Sequence, residues 1–348
     1  MSITNNVSLS VVIISHNQKI LLKRCIDSIL NQKTTFPVEV IVSDDRSSDG
    51  TKEMLLKDYE GKVITTFFDS DKYETSYVLE RAALNRINGL KKATGKYLIH
   101  IDGDDFFTGT DVFQAMVNKL EEHPECNLCC QNYYTKPYDN LDSNKAPSRP
   151  KELFIDDPII LGATLVNDME IGHNSSFCMR RSDHVKIEEL TSTTYDDIDI
   201  TLRYLGDGKV ALINKSNFIY VLYPGSSSTS ITLQEKYLMY NSYILGIPLV
   251  PALAGTMLRG HLKSIARIAL EGAKNRSYPD RMIKYCRTVN LRIFHRLNVT
   301  MSLSDRFIYA LLFLFTGLII VSPIKTRGMI KLIYKLAINK NIAENVVF

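Results

Sequence analysis

A short apolar run, Tyr97-Leu98-Ile99-His100-Ile101, breaks into Asp102-Gly103-Asp104-Asp105. Apolar runs of this length bounded by turn residues read as buried strands. Carboxylates at the carboxyl end of such a strand stand where open α/β sheets place their ligands. Like charges this close repel and raise one another's pKa unless something positive holds them. A hard divalent cation, Mg²⁺ or Mn²⁺, suits that oxygen-rich setting. Any fold for this chain must therefore bury residues 97–101 in a sheet and bring 102–105 to its rim.

The neighbouring segments supply that sheet. Leu9–Ser15 reads as a first buried strand ending in His16-Asn17, and apolar residues at helical spacing follow over 20–31. A second strand over 38–43 closes on Asp44-Asp45-Arg46-Ser47-Ser48-Asp49-Gly50-Thr51, a turn and helix start. A helix to about residue 59, a strand over 63–68, a helix over 78–93 and the strand at 97–101 complete the alternation. Strands alternating with helices predict an α/β, doubly wound sheet. Beyond it come a helix over 111–122, a strand over 127–133, a long polar surface loop over 134–158, a helix over 196–205 and a strand over 217–222. The loop's size points to function.

Charge divides the 348 residues unevenly. Residues 255–348 carry 16 Lys and Arg against 4 Asp and Glu, whereas the preceding 254 carry 26 against 34. An acidic front and a basic tail suggest two jobs, and the expected division is 1–230 and 231–348. Within the tail, 307–321 is uncharged between Arg306 and Lys325, and 244–258 is uncharged but broken by Pro248 and Pro251. Fifteen residues fall short of the roughly 20 that span a bilayer squarely. Basic flanks favour an anionic membrane surface at about 1 kcal/mol per residue, so the tail reads as helical and membrane-associating. A peripheral or monotopic arrangement fits best, with one short span at 307–324 as the alternative. The opening MSITNNVSLS lacks the basic start and apolar core of a signal peptide, which puts the first domain in the cytosol. The cluster Cys126, Cys129 and Cys130 has no second pair at zinc spacing and reads as buried strand cysteines.

Four stretches carry chemistry. His16-Asn17 and Asp44-Asp45 end adjacent strands at the ligand edge, where a carboxylate can accept from a base N–H or a ribose hydroxyl; Asp49 reads as a helix cap or Asx turn. Arg86, on the following helix, can neutralise phosphate or simply be solvated. Asp102 and Asp104 can chelate a metal shared with a diphosphate, while Asp105 can equally cap the next helix. Asp196-Asp197-Ile198-Asp199 opens a helix, where a carboxylate either compensates the dipole or serves as a general base. No G-x-G-x-x-G follows the first strand, against a dinucleotide-dependent oxidoreductase. Apolar stretches in the basic tail fit a bilayer better than nucleic acid.

Together, SVVIISHNQ, LKRCIDSILNQ, VEVIVSDDRSSDGT and GLKKATGKYLIHIDGDDFF resemble the N-terminal half of family-two glycosyltransferases, the large inverting group with the GT-A nucleotide-diphospho-sugar transferase fold. The similarity covers roughly residues 8–228. It implies that His16, Asn17, Asp44, Asp45, Arg86 and Asp102 bind the donor nucleotide, and that Asp104 with Asp102 holds Mg²⁺ or Mn²⁺. Asp197 falls in the place of the general base, with Asp196 beside it. His173 and Tyr223 fall on the acceptor side or in support. The implied donor is a nucleotide-diphospho-sugar, a UDP-sugar favoured. The implied acceptor is a saccharide, taken with the basic tail to be lipid-linked, at the cytoplasmic membrane face in surface-polysaccharide synthesis. The chain also departs from the pattern. His16 replaces a common Tyr, Arg46 a common Gly, Ile87 a common Asn, and Val221 and Tyr223 an Arg and a His. No Q-x-x-R-W motif is present, against a processive polymer synthase. A catalytically inactive scaffold protein is the alternative reading.

Overall fold

The computed structural model describes residues 8–72, 78–141, 157–161, 173–183, 185, 187 and 197–223. The expected membrane-associating region at 231–348 lies outside them, as does Asp196. Among the described residues no helix is long and apolar enough to cross a membrane.

The first half alternates as its pattern predicts: β1 (Leu9–Ser15), α1 (Lys19–Leu30), β2 (Val38–Asp45), α2 (Thr51–Asp58), β3 (Ile64–Phe68), α3 (Val78–Leu90) and β4 (Tyr97–Asp102). Then come β5 (Phe106–Phe107), α4 (Val112–Glu122), β6 (Cys126–Gln131), β7 (Tyr134–Pro137), β8 (Ile159–Leu161), β9 (Phe177–Arg180), α5 (Asp197–Leu205), β10 (Lys209–Ile213) and β11 (Phe218–Leu222). Eight strands form one sheet in the order β3-β2-β1-β4-β9-β6-β10-β8. β3, β2, β1 and β4 run parallel, β9 is antiparallel to both its neighbours, and β8 is antiparallel to β10. The sheet is thus mixed. A second sheet has the order β5-β11-β7.

β1 is buried along its whole length and β4 along all but its last residue, as continuous apolar runs covered on both faces should be. α1 buries Leu22, Cys25, Ile26 and Ile29 in the main core with Val11, Ile13, Ile99 and Ile101, and Leu21 in a second cluster with Leu141, Ile219 and Val221. Hydrogen bonds to Glu39 and a close backbone approach at Gly95 lock the connection into β4. Glu39 accepts from Ser10 Oγ at 2.5 Å, Thr94 N at 2.6 Å and Gly95 N at 3.2 Å. A Cβ on Gly95 would stand 2.7 Å from Ser10 N, so the backbones there approach as only glycine permits.

Cys126, Cys129 and Cys130 are free thiols buried on β6, as expected, and Cys25 and Cys178 are likewise buried and free. The polar loop expected over 134–158 needs correction. Its first four residues form β7, paired parallel to β11 from Ile219↔Tyr134 to Leu222↔Pro137. Pro137 ends the strand, where its missing N–H costs no ladder bond, and the run is too short for periodicity to register. Two short strands, β9 and β10, were also illegible as elements. They are central only because the chain folds them between β4, β6 and β8.

Candidate functional site

Register alone assembles the rim. Ser15 pairs with Asp44 across β1 and β2, and Ile14 pairs with Asp102 across β1 and β4. Gly103 N donates to Ile14 O at 2.9 Å, and a Cβ at 103 would stand 2.7 Å from that oxygen and 3.2 Å from Leu22 Cδ1. Only glycine lets the acidic turn close onto β1. Asp105 N then donates to Asp102 O at 3.1 Å. Carboxylate oxygens of Asp102, Asp104 and Asp105 come to lie within 4.8 Å of one another.

The three carboxylates differ. Asp102 is partly exposed and accepts from Arg86 Nη2 at 2.6 Å, the Arg86 side chain being 5% exposed. Asp104 is nearly buried, and burial, then the charge of Asp102, pushes its pKa up to about 7 against hydrogen bonds from its own backbone and Gln18. Asp105 is completely buried, and burial followed by repulsion from Asp104 and Asp102 raises it well above the carboxylate range. Asp105 does not cap a helix. α4 starts at Val112 behind Asp111, and Asp105 Oδ1 instead accepts from Val221 N at 3.0 Å. This donor set fits a hard cation: oxygen ligands only, with one Arg to offset three carboxylates among the described residues.

The other rim is tightly wired. His16 Nδ1 lies 2.6 Å from Asp45 O, and Asn17 Nδ2 lies 3.1 Å from His16 Nε2. Facing a carbonyl oxygen, Nδ1 is the donor of that contact. Asp44 accepts from Ser47 N at 3.0 Å and Ser47 Oγ at 2.5 Å, which holds the turn after β2; burial still leaves its pKa raised. Asp45 accepts from Ser70 N at 3.0 Å and Arg81 Nη2 at 3.2 Å. Asp49 caps two helix starts, taking Thr51 N at 3.1 Å and Lys19 N at 2.8 Å. Arg46, noted for standing where glycine is common, adopts φ 49°, the left-handed region glycine prefers. In that conformation the Arg46 side chain lies beside Asp69 at 3.0 Å and Asp71 at 2.5 Å. Asn17 is also left-handed at φ 52°.

The remaining candidates lie farther along the chain. His173 opens the turn Asn174–Ser176, accepts from Ser175 N at 3.3 Å, and stacks on Tyr220 with centroids 4.2 Å apart. Tyr223 follows β11, its ring 6.1 Å from Tyr138. Asp197 is the first residue of α5, four before Thr201, whose hydroxyl is 3.5 Å from His100 Nε2 within β4. Sequence reading missed the residues that hold the rim together: Gln18, Ser47, Arg81, Ser175 and Asn85. Asn85 accepts from Ser43 Oγ at 2.6 Å and donates to Ser15 O at 3.2 Å. One signal was available. Arg81, Asn85 and Arg86 share one helix that must pack its polar groups over strand ends.

Residues 10–182 match the family model described as Glycosyl transferase family 2. These residues are a glycosyl transferase family 2 domain. A Campylobacter jejuni protein named GalNAc(5)-diNAcBac-PP-undecaprenol beta-1,3-glucosyltransferase is 34% identical over 97 residues, 28% of this chain and 29% of that one. A Bacillus spizizenii poly(ribitol-phosphate) beta-glucosyltransferase is 31% identical over 124 residues, 33% of this chain and 17% of that one. The matches span about a third or less of these curated relatives' own length. The crystal structure of S. aureus TarS 1–349 in complex with UDP superposes with TM-score 0.58 at 13% identity, covering 98% of this chain and 94% of that one. At that identity the likeness establishes the fold, the GT-A type that the family resemblance implies.

Arg86 pairs with Asp102 at the acidic turn. Arg86→Met is expected to destabilise the fold by about 2–3 kcal/mol, less than a fully buried pair because Asp102 reaches solvent. Arg86→Lys should restore only part, since a point charge lacks the planar fork. Urea denaturation reads both, and a loss below about 0.5 kcal/mol for Arg86→Met would show the pair to be incidental.

Proposed function

We propose that the protein is an inverting glycosyltransferase that moves a sugar from a nucleotide-diphosphate donor to a hydroxyl of a saccharide acceptor. The observation that carries the reading is the acidic turn of β4, level with Asp44 on β2 and backed by Arg86. One rim offers groups for a nucleoside and the other for a diphosphate. His16, Asn17, Asp44 and Asp45 are assigned to the base and ribose, and Asp102 to the ribose. Arg86, held against Asp102, adds positive charge beneath the diphosphate. A UDP-sugar is the favoured donor, in keeping with the UDP complex of the TarS neighbour.

Asp104, with Asp102, would hold Mg²⁺ or Mn²⁺, which when bound neutralises charge developing on the leaving diphosphate. The convergence of the Asp102, Asp104 and Asp105 carboxylate oxygens within 4.8 Å supports a cation there, since a positive charge would relieve their repulsion. Asp197 takes the proton from the acceptor hydroxyl, which attacks the anomeric carbon from the face opposite the diphosphate. The new glycosidic C–O bond forms as the sugar–phosphate C–O bond breaks, so no glycosyl-enzyme arises. Holding both reactants in line supplies much of the acceleration. Asp196, His173 and Tyr223 are assigned to the acceptor side.

The acceptor is proposed to be lipid-linked and the setting the cytoplasmic membrane face, in surface-polysaccharide synthesis. The basic, apolar residues 231–348 support that reading, as does the undecaprenol-linked substrate in the Campylobacter protein's name.

Asp197→Asn should lower transfer by about 10²–10⁴-fold, the usual contribution of a general base, while UDP binding by calorimetry stays within about twofold. Near-normal turnover would remove Asp197 from the role. Deleting residues 255–348 should shift the protein from the membrane to the soluble fraction on flotation. An unchanged membrane fraction would refute the tail's assignment.

A further inference from the structure

Asp105 is the least accessible member of the acidic turn. Its side chain is 0% exposed, against 34% for Asp102. A group sealed this way presents no face to a ligand in the cleft, yet a buried carboxylate without partners is costly. Its contacts explain why it is kept. Oδ1 accepts from Val221 N at 3.0 Å, and Oδ2 lies 4.0 Å from His173 Nδ1, an ion-pair distance too long for a hydrogen bond. Ser175 Oγ, also fully buried, sits close enough to draw the carboxyl's pKa downward without closing to hydrogen-bond geometry.

Three elements meet on this one side chain. The acidic turn carries it and continues into β5, which pairs with β11 at Ile219↔Phe106 and Phe218↔Phe107. β11 contributes the Val221 amide. The Asn174–Ser176 turn contributes Ser175 and follows His173, whose ring stacks on Tyr220 and Phe218 of β11 at 4.2 and 5.6 Å. Backbone pairing, one buried hydrogen bond and ring stacking thus fasten the turn to the small sheet from three directions.

We propose that Asp105 is a positioning residue and not a metal ligand: it fixes the acidic turn to β11 and the His173 turn, and so sets where Asp104 presents its carboxylate. The role rests on the metal reading given under Proposed function. It also gives β11 a task that its side chains do not reveal. Val221 stands where related chains carry Arg, but its backbone N–H supplies the contact whatever the side chain. Outer contacts of this kind typically change metal affinity 10–100-fold when removed.

The test is Mn²⁺ binding by electron paramagnetic resonance on the full chain without nucleotide, beside hydrogen exchange at the Val221 amide. Asp105→Asn keeps a carbonyl oxygen for that amide and should bind Mn²⁺ within about threefold of wild type, with Val221 still protected. Asp105→Ala should lose the protection and bind about 10–100-fold more weakly. Asp104→Asn, a ligand change, should lose Mn²⁺ binding while Val221 stays protected. If Asp105→Asn is as damaging to Mn²⁺ as Asp104→Asn, Asp105 is a ligand and the proposal is overturned. It is overturned too if Asp105→Ala binds Mn²⁺ normally. Should Asp105→Ala not fold, the two Asn variants still decide. Wild-type protein that binds no Mn²⁺ overturns the proposal together with the metal reading, whereas failure of the Asp105 variants alone leaves the transferase reading standing.

Discussion

Repulsion among the carboxylates at the end of β4 governs the architecture of this domain. Two ionised carboxylates at 4.8 Å, the outer limit of the oxygen separations here, would repel by roughly 3 kcal/mol at an effective dielectric constant near 20. The structure answers each charge differently. Asp102 is paired with Arg86, Asp105 is buried on the Val221 amide, and Asp104 is left near the rim with its pKa raised to about 7. α3 is placed where it can deliver Arg86, and β5 and β11 where they can seal Asp105. Glycine at 103 lets the turn reach β1 at all.

Much of this was legible because buried parallel strands write themselves as continuous apolar runs. β1 was read with its observed bounds, and the chemistry-bearing residues were placed at strand ends by the same pattern. β2 was read two residues short, because Asp44 and Asp45 look like turn residues while they still pair with Phe67 and Phe68 of β3 through the backbone. Polar side chains at a strand's carboxyl end break the apolar signal without breaking the ladder.

What was not legible depends on tertiary placement. Nothing in the tripeptide Asp104-Asp105-Phe106 distinguishes a rim carboxylate from a sealed one. The difference lies in β11, more than a hundred residues later in sequence. β7 and β9 are four residues each, too short for a period to emerge. Arg46 is the opposite case. A residue that departs from the usual glycine marked a left-handed position, and its side chain lies beside Asp69 and Asp71 beyond β3.

The central claim is that the β1, β2 and β4 ends form one site for a nucleotide-diphospho-sugar with a divalent cation. A screen of UDP-, GDP-, dTDP- and CDP-sugars for nucleotide release by the purified full chain, with Mg²⁺, Mn²⁺ or EDTA, tests it most directly. The account predicts release of UDP in the presence of metal and its loss with EDTA. No release from any donor under any condition, by protein that is folded, would contradict it.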